Sequence, residues 1–219
     1  VVANFNELID TYAEDEYKEK WKVSIQDGSV TFGSAKDKWA INVDIMKKKG
    51  VTFKDVIDAY SDSGKVEDLV EKAPLAEGVL GMVVKHHPPP HVAQKYRIPK
   101  IWKGDLDSDT GKALLACDDN GPTIMMCVNM TIDPAAGPVA IGRLFSGTIK
   151  DGQTINIIDT KREGRVQSVN FFMSNVREQV GELGAGNIPA LLGLTDVRAG
   201  QTLSTVKGIP VFEASKYVS

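Results

Sequence analysis

PVAIGRLFSGTIKDGQTINIIDTKREGRVQSVNFFMSNVREQVGELGAGNIPALLGLTDVRAGQTLS runs from Pro138 to Ser204 and decides how the chain is read. Short apolar runs at Val139–Phe145, Thr154–Ile158, Arg165–Phe172 and Ile188–Leu192 alternate with turn clusters of Gly, Asp, Asn and Lys. A turn signal about every 8–12 residues is the pattern of an all-β sandwich or small barrel. Gly142, Gly147 and Gly152 recur at intervals of five, and glycine inside a strand marks the bulge or tight bend that a small sheet needs to close. An antiparallel β-barrel closed on itself is expected here.

Working outward, Ile124–Met130 reads as one more barrel strand, preceded by the strong turn chemistry of Asp118-Asp119-Asn120-Gly121-Pro122. After Ser204, Val206-Lys207-Gly208-Ile209-Pro210 reads as an exit linker. Upstream, Gln94 to Thr110 reads as irregular. Before it, His86-His87-Pro88-Pro89-Pro90-His91 halts a helical section. Three consecutive prolines favour a stiff polyproline segment without internal hydrogen bonds, so the domain boundary falls there.

Residues 1–85 read as an α/β remnant that is mostly helical. Phe5, Leu8, Ile9 and Tyr12 make one helix face that continues toward Trp21. Lys22–Ile25 and Ser29–Phe32 are short alternating runs around Gln26-Asp27-Gly28, which predicts a hairpin or a tight reversal. Gly33-Ser34-Ala35-Lys36 follows as a loop, before Trp39–Val43. Thr52 is placed to cap a helix carrying Phe53, Val56, Ile57 and Tyr60. Further helices are expected from Lys65 to Lys72 and after Pro74, which suits a first turn. Two such strands make a poor sheet alone.

Bulk numbers set limits. The 219 residues suffice for one large or two ordinary domains, with 42% hydrophobic and 25% charged residues. A net charge of -3 and a pI near 5.7 argue against a basic surface throughout, although not against a local basic patch. No apolar run reaches the roughly 18 residues that span a bilayer. Neither membrane nor DNA is expected as a partner. Cys117 and Cys127 cannot build a disulfide framework, and they read as reduced thiols of a cytosolic protein.

Several chemistries fail on residue type. The three histidines all lie in the proline segment, whose side chains point about 120° apart and cannot gather on one ion. No metal is expected, and no Ser-His-Asp or Cys-His machine has a histidine to use. A phosphate cradle needs G-x-x-x-x-G-K-[ST]. Gly64-Lys65 and Gly111-Lys112 lack both the earlier glycine and the following hydroxyl. N-K-x-D is missing, and the Asp118–Gly121 D-x-x-G match has no cradle upstream. Basic residues cluster at Lys150, Lys161, Arg162 and Arg165. A second group, Lys95, Arg97, Lys100 and Lys103, is interleaved with Tyr96 and Trp102. Either group suits an RNA backbone through phosphate contacts, and solvated turns give the same composition.

Longer strings go further. HHPPPHVAQKYRIPKIWKGDLDS, CDDNGPTIMMCVNM, IGRLFSGTIKDGQTINI and ELGAGNIPALLGL…AGQTL resemble the archaeal and eukaryotic elongation factor 2 family in order and spacing. The barrel strings alone resemble domain II of any translational GTPase. The proline-rich string followed by Ala93-Gln94-Lys95-Tyr96-Arg97 narrows the resemblance, and the lack of a longer insertion before Pro74 leans it toward the archaeal branch.

The resemblance implies that residues 1–85 end a GTP-binding (G) domain, 86–120 form a strap, 121–206 form the domain II barrel and 207–219 lead toward domain III. Ser34, Ala35 and Lys36 then resemble the last guanine-contacting loop, where a backbone N–H near Ala35 faces the guanine carbonyl and Ser34 shapes the turn. Lys36 departs from the leucine of some relatives, which matters little for a backbone contact. The P-loop, switches and N-K-x-D element are expected upstream of Val1, which the opening VVANFNELIDTY, begun mid-pattern, also suggests.

By the same resemblance, GTP and Mg²⁺ serve the intact GTPase, a cytoplasmic ribosomal translocase, while this chain alone binds no cofactor and is inactive. The barrel is expected to dock on small-subunit ribosomal RNA, with Arg143, Lys150, Arg162 and Arg165 as its contacts. Exposed apolar faces of the G-domain remnant are expected to pair between copies. Read without the family, the residues leave open a free-standing RNA- or protein-binding module, or a piece of a spliceosomal or ribosome-assembly GTPase.

Overall fold

The computed structural model describes residues 1–61, 64–174 and 176–213. The chain divides into two units, the first ending at His87 and the second starting at Pro88. The first unit holds helices α1 (Val2–Tyr12) and α2 (Asp15–Trp21), strands β1 (Phe32–Ser34) and β2 (Trp39–Ile41), then helices α3 (Val43–Lys49), α4 (Phe53–Ala59), α5 (Val66–Lys72) and α6 (Leu75–His86).

Local chemistry explains most of these boundaries. Asn42 caps α3 by accepting the Ile45 N–H at 3.0 Å. Thr52 and Asp55 form a reciprocal capping box on α4, which satisfies two orphan donors at once. Helix α6 lies close on β2, because a Cβ at Gly78 would fall 2.6 Å from the Ala40 Cβ. Trp39, Ile41, Ile45, Val51, Leu69 and Ala73 form the buried cluster of this unit.

Of the hairpin or tight reversal expected around Asp27-Gly28, the reversal forms and the hairpin does not. Gly28 does turn, at φ 81°, but the flanks are not strands: the Asn6 side chain takes the Val23 N–H at 2.8 Å and donates to its carbonyl at 2.9 Å. With those groups satisfied by a helix residue, no partner strand is required. The hairpin lies one step later, between antiparallel β1 and β2, with Phe32 opposite Ile41. Ser34 ends β1, and only Ala35–Lys38 make the turn.

The second unit opens with α7 (Pro90–Ile101) and α8 (Asp109–Ala116). This corrects two expectations. The proline segment is extended only from His87 to Pro89, because Pro90 takes the first helical position, where its missing N–H costs nothing. The stretch from Gln94 is helical to Ile101, with Pro99 accommodated in the last turn.

Strands β3 (Ile124–Asp133), β4 (Gly137–Ser146), β5 (Thr148–Lys150), β6 (Thr154–Ile157), β7 (Arg162–Arg165), β8 (Ser168–Met173), β9 (Val176–Gln179), β10 (Glu182–Gly184), β11 (Ala190–Leu192) and β12 (Thr202–Ser204) follow. Eight form an antiparallel sheet in the order β7-β6-β12-β3-β4-β11-β8-β9, and β5 pairs with β10 as a separate ribbon. The glycine spacing has a structural basis. Val128 is the extra residue of a bulge beside the Cys127–Gly142 pair. Gly147, at φ 75°, turns β4 into β5 where a Cβ would fall 2.5 Å from Thr123.

Met125, Cys127, Ala140, Leu144, Ile155, Val169, Leu191 and Leu203 belong to the core on one face of the sheet. On the other face α7 and α8 cover Ile124 and Phe145 with Ile98, Trp102 and Leu114. The segment read as a linker is partly held in place: Phe212 is 2% exposed in this second cluster. Trp102 Nε1 donates to the Pro210 carbonyl at 2.8 Å, and the Glu213 N–H donates to Ile101 at 2.8 Å. Strand β7 passes to β8 through Val166 and Gln167 alone. The Val166 N–H bonds Gln153 beside β6, while the Gln167 N–H bonds Leu192 of β11, both at 2.9 Å.

Candidate functional site

Two places carry the residues singled out in the sequence. The first is the β1–β2 turn. Ser34 Oγ donates to Asp37 Oδ2 at 2.8 Å and accepts the Asp37 N–H at 3.1 Å. The Tyr60 hydroxyl, just past α4, also donates to Asp37 and in turn accepts from Trp39 Nε1 at 2.8 Å. Hydrogen bonds from Tyr60 and then Ser34 hold the Asp37 carboxyl below the usual carboxylate range. Ala35 and Lys36 are exposed at the tip. Among the described residues, no hydrogen bond takes up their backbone N–H groups. A braced turn presenting free N–H donors suits recognition of a carbonyl oxygen by backbone.

The second place is the set of cations on the sheet unit, and the four expected RNA contacts lie on three strands. Lys150 on β5 pairs with Glu182 of β10 at 2.8 Å. Arg162 on β7 pairs with Asp196 at 3.2 Å and lines a cavity of about 400 Å³ together with Arg198. Arg165, also on β7, is exposed. Arg143 sits on β4, half-buried, on the face that α7 and α8 cover. Arg165 reaches the turn after β5, with its guanidinium 3.6 Å from where a Cβ on Gly152 would sit.

The α7 group divides similarly. Trp102 is 2% exposed and serves the core, so it offers no ring to a base. Lys103 is 3.8 Å from Glu213. Gln94, which sequence reasoning passed over, is 2% exposed. Its Nε2 donates to the Leu114 carbonyl at 2.5 Å and the Phe145 carbonyl at 2.9 Å. That contact ties α7 to α8 and β4 and brings Arg97 toward Arg143. Strand alternation was the available signal, since Arg143 falls between outward-facing Ile141 and Phe145.

The thiols are chemically quiet. Burial pushes Cys127 up to about 11. Burial also raises Cys117, against the opposing charge of Arg143. Among the described residues, no three His, Cys, Asp or Glu side chains gather as a metal set. Among them also, no helix is long and apolar enough to cross a membrane.

Residues 137–204 match the family described as elongation factor Tu domain 2. Elongation factor 2 of Cenarchaeum symbiosum is 80% identical over 219 residues, which is all of this chain and 30% of that protein. The same protein of Sulfurisphaera tokodaii is 49% identical over 225 aligned positions, and that of Methanocaldococcus jannaschii 47% over 220. Each alignment covers all of this chain and 30% of the relative. The chain thus spans about 30% of the length of the curated relatives it matches. On these matches the chain belongs to the elongation factor 2 family, as a segment that contains the domain 2 fold of elongation factor Tu.

Proposed function

We propose that this chain works as part of a GTP-driven ribosomal translocase of the elongation factor 2 type, in the cytoplasm. The observation that carries this reading is the 80% identity to an elongation factor 2 over every residue of the chain. In the proposed division, residues 1–85 end the G domain, 86–120 form the strap, 121–206 are domain II and 207–219 lead toward domain III. Ser34, Ala35 and Lys36 are the proposed guanine-contacting turn, for which the free N–H groups at its tip are the support.

GTP and Mg²⁺ belong to the intact protein in this reading. Catalysis of phosphoryl transfer rests on phosphate cradling, a metal ion and a positioned water. This sequence contains no G-x-x-x-x-G-K-[ST] cradle to hold the phosphates. The chain's own contribution is a guanine contact and a rigid sheet unit that docks on small-subunit ribosomal RNA.

We further propose that the sheet closes as a barrel. In a flat sheet β7 and β8 would stand about 29 Å apart, at about 4.8 Å per strand spacing. The link through Val166 and Gln167 spans at most about 11 Å from Arg165 to Ser168. A connection that short requires the sheet to curl until its two ends approach.

The test is nucleotide chemistry on the purified chain. It is expected to show no GTP turnover and no saturable GTP binding. Attached to a P-loop-bearing G domain from an elongation factor 2, it is expected to support ribosome-stimulated hydrolysis. Turnover by the chain alone would overturn the assignment of roles.

A further inference from the structure

Arg143 occupies the outer face of β4 between Ile141, which packs toward Val139 and Leu192, and Phe145, which packs beneath α7 and α8. Gln94 fixes α7 over that face through the Phe145 and Leu114 carbonyls. Arg97 lies about one helical turn beyond Gln94 and is therefore carried toward Arg143. Helix α8 stops at the same corner, where Cys117 adopts a left-handed conformation at φ 56°. Its Sγ lies 3.2 Å from where a Cβ on Gly186 would sit. The corner is thus built from α7, the end of α8, β4 and the Gly186 loop, all within the sheet unit.

What the two guanidiniums lack is a carboxylate bonded to either of them. Lys150, Arg162, Arg177 and Lys207 each hold a carboxylate. Among the described residues, the side chains of Arg97 and Arg143 have no hydrogen-bond or ion-pair partner. The nearby Asp119 carboxylate is taken up by the Ala185 N–H at 2.6 Å. Burial lowers the pKa of Arg143, the Cys117 thiol opposes that shift and the Arg97 charge reinforces it. An arginine stays protonated all the same. Two like charges held together in a partly desolvated corner destabilise the empty site, and an anion relieves both the repulsion and the desolvation.

We propose that Arg97 and Arg143 form a two-guanidinium clamp for a phosphodiester of an RNA backbone. Planar guanidinium forks match the two non-bridging oxygens of such a group. Both guanidiniums address phosphate oxygens, and the Trp102 ring at the end of α7 is buried in the core, so the clamp is assigned to backbone. This inference rests on the RNA-docking reading above. It moves the contact from Lys150 and Arg162, which already hold carboxylates, to the α7 side of the sheet.

Fluorescence anisotropy of the chain with a labelled 12-nucleotide uridine RNA tests it. Arg97→Gln and Arg143→Gln are each expected to weaken binding about fivefold. Together they should reduce the log–log salt slope by about 0.7, as loss of one phosphate contact on a single strand does. Arg143→Lys, which keeps the charge but loses the fork, should fall between. Lys150→Gln combined with Arg162→Gln should stay within about twofold of the parent. If Arg143→Gln does not fold, the exposed Arg97→Gln decides.

Weakening by the Lys150 and Arg162 changes alone overturns the clamp but leaves the RNA reading intact. Absence of any RNA binding at 50 mM salt overturns both. Inorganic phosphate bound as tightly as RNA, or a glutamate-rich peptide that outcompetes RNA, overturns the choice of ligand.

Discussion

In the sheet unit Met125, Leu144, Ile155, Val169, Leu191 and Leu203 lose all contact with solvent, whereas in the helical unit Leu8 keeps 55% of its exposure, Ile57 71% and Val84 83%. Both units are built from sequences with clear apolar periodicity, so patterning alone does not explain the difference. Strands β3, β4, β6, β8, β11 and β12 cover one another's side chains. The helices of the first unit pack on the short β1–β2 hairpin and on one another through one small cluster, and such a hairpin is marginal by itself. An apolar stripe left in water marks a surface that docks. The sheet unit is therefore stabilised from within, and the helical unit by caps, turns and one small cluster.

Leu191→Ala is the hardest blow to this comparison. It should remove about 2–5 kcal/mol from the sheet unit, and calorimetry should show that transition moving while the helical one stays. Alkaline pH comes next. Cys127 rises from 9.0 to about 11 on folding, so its contribution is complete below pH 9 and is lost as pH climbs through 11. Thermal melts across that window should lose sheet-unit stability by less than Leu191→Ala does and by more than a helix cap is worth. Cys117 should also react with iodoacetamide well before Cys127.

Thr52→Ala, which breaks the α4 capping box, should cost about 1 kcal/mol and affect only the helical transition. Ile57→Ala should change stability by less than about 0.5 kcal/mol, while lowering any self-association seen in sedimentation. A loss of several kcal/mol there would mean that the α4 stripe is covered, and the contrast between the units would fail.

The pattern of legibility follows the same division. Glycine spacing and alternation announced an antiparallel sheet because each strand's period is local. Strand order was not readable, since the placement of β12 between β6 and β3 depends on pairings far apart in sequence. Thr52 and Pro74 marked helix starts because caps act over three or four residues. The stretch from Lys22 to Phe32 misled because a side chain 17 residues away, that of Asn6 on a helix, satisfies the Val23 backbone groups that a strand would have used. Helix α7 was hidden by its own prolines: Pro90 sits at its first residue, where a helix tolerates one, and Pro99 falls in the last turn at the cost of one intrahelical bond. The Arg97–Arg143 corner was invisible for a related reason: it exists only because Gln94 reaches two carbonyls on separate elements.

Phe212 has a mechanical consequence. Its ring lies 4.7 Å from that of Phe145, centre to centre, and its N–H donates to Thr202 Oγ1 at 2.9 Å. A pull applied at Glu213 is met at once by the tail of α7, through the Ile101 carbonyl, and by β12, through Thr202. The tether is hitched to helix and sheet together, so the two share the load.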